Sequence, residues 1–91
     1  MVELIWNDQF KRIYRKWIRR HPGMKAQFAK KISVFSDDPF HPSLKTHALS
    51  GVMKGLWSFW ITYEHRLVFD FADDDRSKVI LIDIGSHEEV Y

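Results

Sequence analysis

Apolar residues recur every three or four positions between Phe10 and Phe35, and the period shortens to two after Trp57. A chain that changes period once in this way buries both halves by packing helices against a sheet. Phe10, Ile13, Tyr14, Trp17 and Ile18 fall at i, i+3, i+4, i+7 and i+8, the spacing of one buried helical stripe. Asn7 or Asp8 just before them offers an N-cap oxygen. Pro22, in "HPG", disfavours helical geometry at His21 and is tolerated at the start of a following helix. That second helix carries Met24, Phe28, Ile32 and Phe35, and the prolines of "SDDPFHPS" end it. Ahead of both, Val2, Leu4 and Trp6 alternate, the mark of a short first strand.

The later runs "LWSFWIT", "RLVFDF" and "VILIDI" are aromatic and β-branched and are separated by "YEH" and "ADDDRS", the pattern of an antiparallel meander. "KTHALSGVMKG" reads as a short edge strand that opens into a loop at Gly51 and Gly55. The expected fold is α+β, in the order β-α-α-β-β-β-β. Two antiparallel N-terminal helices cover one face of a twisted, mainly antiparallel sheet of four to five strands. The uncovered face is expected to be a concave surface on which polar side chains from several strands converge.

With 91 residues, the expectation is a single domain spanning 1–91, near the lower size at which a hydrophobic core suffices alone. Four Trp, seven Phe and three Tyr supply that core. There is no cysteine, which excludes a disulfide framework, thiolate catalysis and the common zinc motifs, and points to the cytoplasm. "MVELIWNDQF" has neither a basic leader nor a long apolar run, so neither a signal peptide nor a membrane span is expected. The net charge of +2 conceals a segregation: residues 8–31 carry nine Lys or Arg against the single acid Asp8. Such a basic face suits phosphate backbones or an acidic protein partner.

The motifs "HALSG", "GLWSFWI" and "EHRLVF", followed by "IDIGSHEEVY" after a strand and two basic helices, resemble the RelE/ParE superfamily of toxins from type II toxin–antitoxin systems. "WSFWITYEHRLVF" is similar to the YoeB branch and "GSHEEVY" to the YafQ branch. The resemblance implies a ribonuclease that cuts mRNA, commonly on the ribosome with rRNA as a partner, is silenced by a cognate antitoxin and touches operator DNA only through that complex.

RNA is cleaved without a metal when a base takes the 2′-hydroxyl proton, an acid protonates the departing 5′-oxygen and a cation stabilises the transition state. By the resemblance, His47 is the base, His87 is the acid or a phosphate contact, and Arg66 clamps the phosphate. Tyr91 stacks on a base or brings its hydroxyl to the scissile phosphate. Lys45 and Lys54 flank the edge strand and could hold the RNA backbone, with Arg12, Arg15 and Arg19 as a docking surface. Glu64 and His65 are secondary, since alternation turns His65 away from Arg66. His21 and His41 precede prolines and receive no role; no metal or other cofactor is expected. Two other readings stand: a ParE-like protein that inhibits DNA gyrase by contact, and a module that mainly binds an antitoxin and co-represses its operon.

Overall fold

The side chain of Asn7 accepts a hydrogen bond from the Phe10 amide (2.8 Å) and so starts the first helix, α1 (Asp8–Arg20), in a computed structural model that describes all 91 residues. Strand β1 (Glu3–Ile5) precedes it; a 3₁₀ turn at Pro22–Met24 breaks it from α2 (Lys25–Asp37). A second 3₁₀ turn (Pro42–Leu44) leads to β2 (His47–Ala48), and a third (Gly51–Met53) to β3 (Trp57–Trp60). Gly51 and Gly55 both have positive φ, 66° and 98°, so this loop uses conformations that glycine adopts without a Cβ penalty. Strands β4 (His65–Phe71) and β5 (Lys78–Ser86) follow, and the chain closes with one helical turn, α3 (His87–Val90).

The five strands lie in the order β1-β5-β4-β3-β2. β1 runs parallel to β5, and the other pairs are antiparallel. The helices cover one face. Phe59, Leu67, Phe69, Leu81 and Ile84 of the sheet join Phe10, Trp17, Phe28 and Phe35 in one core cluster. Phe35 stacks on Phe59 with ring centroids 4.4 Å apart and meets Phe69 edge-on at 4.7 Å. Removing a ring so placed costs about 3–5 kcal/mol.

The other face, expected from the sequence to be uncovered, carries the residues after the last strand as a helical turn. Ser86 caps α3 by accepting from the Glu89 amide (3.2 Å), and Glu89 accepts from the Ser86 amide (3.0 Å), a reciprocal capping box. The Ser86 amide holds the Glu89 carboxyl below its ordinary value, with Arg20, 3.5 Å away, helping. Gly85 lets this turn lie directly on the sheet: a Cβ there would stand 3.2 Å from the Cβ of Glu89 and 3.4 Å from Val90 Cγ1. Val90 is buried, as is Val68, and neither belongs to the core cluster on the helix side. The uncovered face is therefore partly roofed by α3.

His65 belongs to the helix side. Its Nδ1 accepts from Trp17 Nε1 (3.1 Å), and its ring meets His21 at 4.6 Å. Burial, and secondarily the neighbouring His21, push its pKa below the usual imidazole value, while Glu64 and Glu89 oppose and Arg66 adds a little. A neutral folded His65 against an unfolded histidine that protonates near pH 6.5 means that the unfolded state binds more protons below that pH. Its stabilising contribution is complete above about pH 6.5 and is lost as pH falls through the depressed folded value. Thermal midpoints measured from pH 7.5 down to 5 are expected to fall more steeply for the native chain than for His65→Gln, which keeps a neutral acceptor for Trp17. Equal slopes would contradict this assignment.

Candidate active-site cleft

Antiparallel neighbours share a sheet face, so the register decides which side chains can meet. His47 pairs with Ser58, Ser58 with Val68, Trp60 with Arg66, and Arg66 with Gly85. His47, Ser58, Trp60, Arg66 and Val68 therefore stand on the face opposite α1 and α2, and α3 lies over β4 and β5 on the same side. A cleft of about 490 Å³ opens there, lined by Tyr63, Glu64, Arg66, Ser86, His87 and Glu88.

Arg66 forms its floor. The residue is only 6% exposed, yet no carboxylate pairs with it. Its guanidinium carbon stands 4.3 Å from the Trp60 ring centroid, a desolvated cation–π contact worth roughly 2 kcal/mol. Nη1 alone makes its hydrogen bonds, donating to the Thr62 carbonyl (2.9 Å) and to the Tyr63 carbonyl. No buried side-chain polar atom in the protein lacks a partner, so Nη2 and Nε, which make no hydrogen bond, keep some contact with solvent. That is the arrangement of a fork held ready for an anion.

His87 stands on the cleft wall as the first residue of α3. Its amide donates to the Glu64 carbonyl (3.0 Å), and its exposed ring packs edge-on against Tyr91 at 4.6 Å. Tyr91 in turn donates its hydroxyl to Ser58 Oγ. That bond ties the end of the chain to β3, beside the cross-strand partner of His47. The hydroxyl assigned to the scissile phosphate in the sequence reading is thus occupied, while the ring keeps 42% exposure.

His47 stands outside the cleft, on the exposed edge strand. Two strand spacings and two residues along separate it from Arg66, which puts the two Cα atoms about 12 Å apart on one face. Its Nδ1 lies 2.9 Å from the Lys45 carbonyl, which only accepts. In the neutral imidazole, Nδ1 therefore carries the proton and Nε2 the lone pair.

Arg66, His87 and Glu64 line one cleft, and Tyr91 and His47 join them on the same face. Lys45, at the left-handed φ of 54°, and Lys54 are exposed on either side of the edge strand. His65 is turned to the other face, against Trp17. Arg12, Arg15 and Arg19 are exposed on the side of α1 away from Phe10 and Trp17, so they form a surface separate from the cleft. The sequence reading assigns no role to Ser58 or to the capping pair Ser86 and Glu89. The last two carry a legible signal, the S-x-x-E spacing of "SHEE".

Comparison with known proteins gives concordant results. The family described as bacterial toxin of type II toxin–antitoxin system, YafQ, matches residues 2–91. The toxin YoeB of Escherichia coli (strain K12) is 30% identical over 73 residues, which span 80% of this chain and 87% of that protein. The fold of a YoeB/ParE toxin from Agrobacterium tumefaciens superposes with a TM-score of 0.72 at 28% identity, over 94% of this chain and 99% of the other. YafQ from E. coli strain BL21(DE3) superposes with a TM-score of 0.78 over 100% and 99% of the two chains; at 15% identity that likeness concerns the fold.

Proposed function

This chain belongs to the YafQ family of type II toxin–antitoxin toxins, and from that premise we propose that it is an endoribonuclease that cuts mRNA on the ribosome. One observation above all supports this reading. Arg66 is a buried cation with no carboxylate partner and a free donor edge, in the same cleft as a solvent-accessible histidine.

The chemistry follows from the side chains present and uses no cofactor. A phosphate seated on the Nη2 and Nε edge of Arg66 lies beside His87. His47, its proton fixed on Nδ1, offers the Nε2 lone pair to the 2′-hydroxyl. The 2′-oxygen bonds to phosphorus, Arg66 stabilises the charge on the equatorial oxygens, and the bond from phosphorus to the 5′-oxygen breaks as His87 delivers a proton to it. The products are a 2′,3′-cyclic phosphate and a 5′-hydroxyl. Tyr91 acts as a positioning residue, holding α3 against β3. Lys45 and Lys54 hold the RNA backbone beside the edge strand, and Arg12, Arg15 and Arg19 dock on ribosomal RNA from the opposite side.

The partner is an acidic antitoxin that covers the basic surface and the cleft, and operator DNA is reached only through that complex. No helix is long and apolar enough to cross a membrane, and the place of action is the cytoplasm. In a translation extract programmed with a reporter mRNA, primer extension is expected to show new stops within the coding region on adding the protein. DNA gyrase supercoiling is expected to be unaffected. Intact mRNA together with inhibited supercoiling would favour the gyrase reading instead.

A further inference from the structure

The exposed His87 ring meets Tyr91 edge-on, and the residue's hydrogen bonds run through its backbone. Its amide donates to the Glu64 carbonyl (3.0 Å), and its carbonyl accepts from the Tyr91 amide (3.2 Å). The place of the imidazole is therefore set by the backbone of α3. One helical turn of four residues does not hold itself in water. Whatever orders α3 decides where His87 stands.

We infer that Glu89 is a positioning residue: by closing the capping box and bridging to α1 it fixes the orientation of α3, and so holds the His87 imidazole against the departing 5′-oxygen. This role rests on the ribonuclease reading above, in which His87 is the acid, and adds what keeps that acid in place. Glu89 works at both ends of its side chain. Its amide donates to Ser86 Oγ (3.2 Å) while its Oε1 accepts from the Ser86 amide (3.0 Å), which closes the turn on itself. Its Oε2 accepts from Arg20 Nη1 (3.5 Å), which ties the turn to the last residue of α1. Glu89 lines a second, smaller cavity of about 220 Å³ with Trp17, Arg20, His21 and Asp83, and it does not line the cleft that holds His87 and Arg66. Its carboxylate therefore reaches the reaction through α3 and not by touching RNA. The Arg20 bridge is exposed and weak, so the capping pair carries most of the effect.

The test compares two forms of one reporter mRNA in a translation extract: the natural linkage at a mapped cut site, and the same linkage with sulfur in place of its bridging 5′-oxygen. In both, the 2′-oxygen bonds to phosphorus. In the second, the phosphorus–sulfur bond breaks and the sulfur leaves as a thiolate that needs no proton, so the acid is dispensable. Glu89 is exposed, and Glu89→Ala takes nothing from the core. This variant is expected to cut the natural linkage about 10–100-fold more slowly than the native chain, the scale of a small displacement of a catalytic group, with KM within severalfold. The sulfur linkage is expected to be cut at close to the native rate. Glu89→Gln is expected to recover most of the loss on the natural linkage, because Gln supplies the same capping acceptor and only the Arg20 bridge goes. An equal loss on both linkages is the mark of general unfolding or weaker binding and would overturn this inference, as would native cutting of the natural linkage by Glu89→Ala. Either result leaves the ribonuclease reading standing. A native chain that cuts neither linkage would overturn both.

Discussion

His87→Ala is expected to lower mRNA cleavage by about 10²–10⁴-fold, the range that a positioned general acid contributes. The fold should barely notice. The imidazole is exposed, the residue's hydrogen bond to Glu64 comes from its backbone amide, and alanine is well suited to the first turn of a helix. The ring's edge contact with Tyr91 is the one packing interaction removed, and Tyr91 keeps its anchor on Ser58. Unchanged circular dichroism and thermal midpoint, together with the lost activity, would separate a chemical role from a structural one. His41→Ala is the control: that histidine caps the Pro42–Leu44 turn and does not line the cleft, and its loss should leave cleavage intact. A His87→Ala protein that still cuts at the native rate would remove His87 from the mechanism.

Arg66→Lys is expected to cost about 10²–10³-fold, the scale for removing a donor aimed at the charge that develops in a transition state. The charge survives this substitution, but the geometry does not. A guanidinium can bind two carbonyls through Nη1, lie flat on Trp60 and still present a second edge to a phosphate. An ammonium has no such plane. The loss should fall on kcat more than on KM, because phosphate positioning by the flanking lysines is untouched. Arg66→Ala removes a buried side chain that packs over Trp60, so its activity has to be read beside a thermal midpoint. Guanidinium ion added to Arg66→Ala should restore part of the rate, an effect that a purely structural role would not produce.

Local patterning made the helix-side architecture legible. The stripe from Phe10 to Ile18 and the four-residue spacing of Met24, Phe28 and Ile32 set the helix faces, because amphipathic period and burial are two expressions of one geometry. The alternation of Trp57, Ser58, Phe59 and Trp60 likewise sorted the two sides of β3: Phe59 enters the core and Ser58 and Trp60 face the site. Cross-strand register was not legible, because nothing local in "HALSG" states that His47 lies opposite Ser58. The roles of Ser58 and Gly85 depend on that pairing, one as the acceptor for Tyr91 and the other as the space α3 needs. The short α3 was legible through its capping box.

The order of the site is equally physical. A buried arginine without an acid partner is costly unless neighbouring groups hold it, and here two carbonyls and an indole face do so. No carboxylate forms an ion pair with that guanidinium.

Under the ribonuclease reading, one face of the sheet drives an RNA 2′-hydroxyl into its own phosphodiester. The most direct test uses a reporter mRNA carrying a single 2′-deoxy nucleotide at a mapped cut site, offered to the native protein in a translation extract. No cutting is expected at that position, with 2′,3′-cyclic phosphate and 5′-hydroxyl ends at the unmodified sites. Cutting of the deoxy position at the normal rate, or ends bearing a 5′-phosphate and a 3′-hydroxyl, would contradict it.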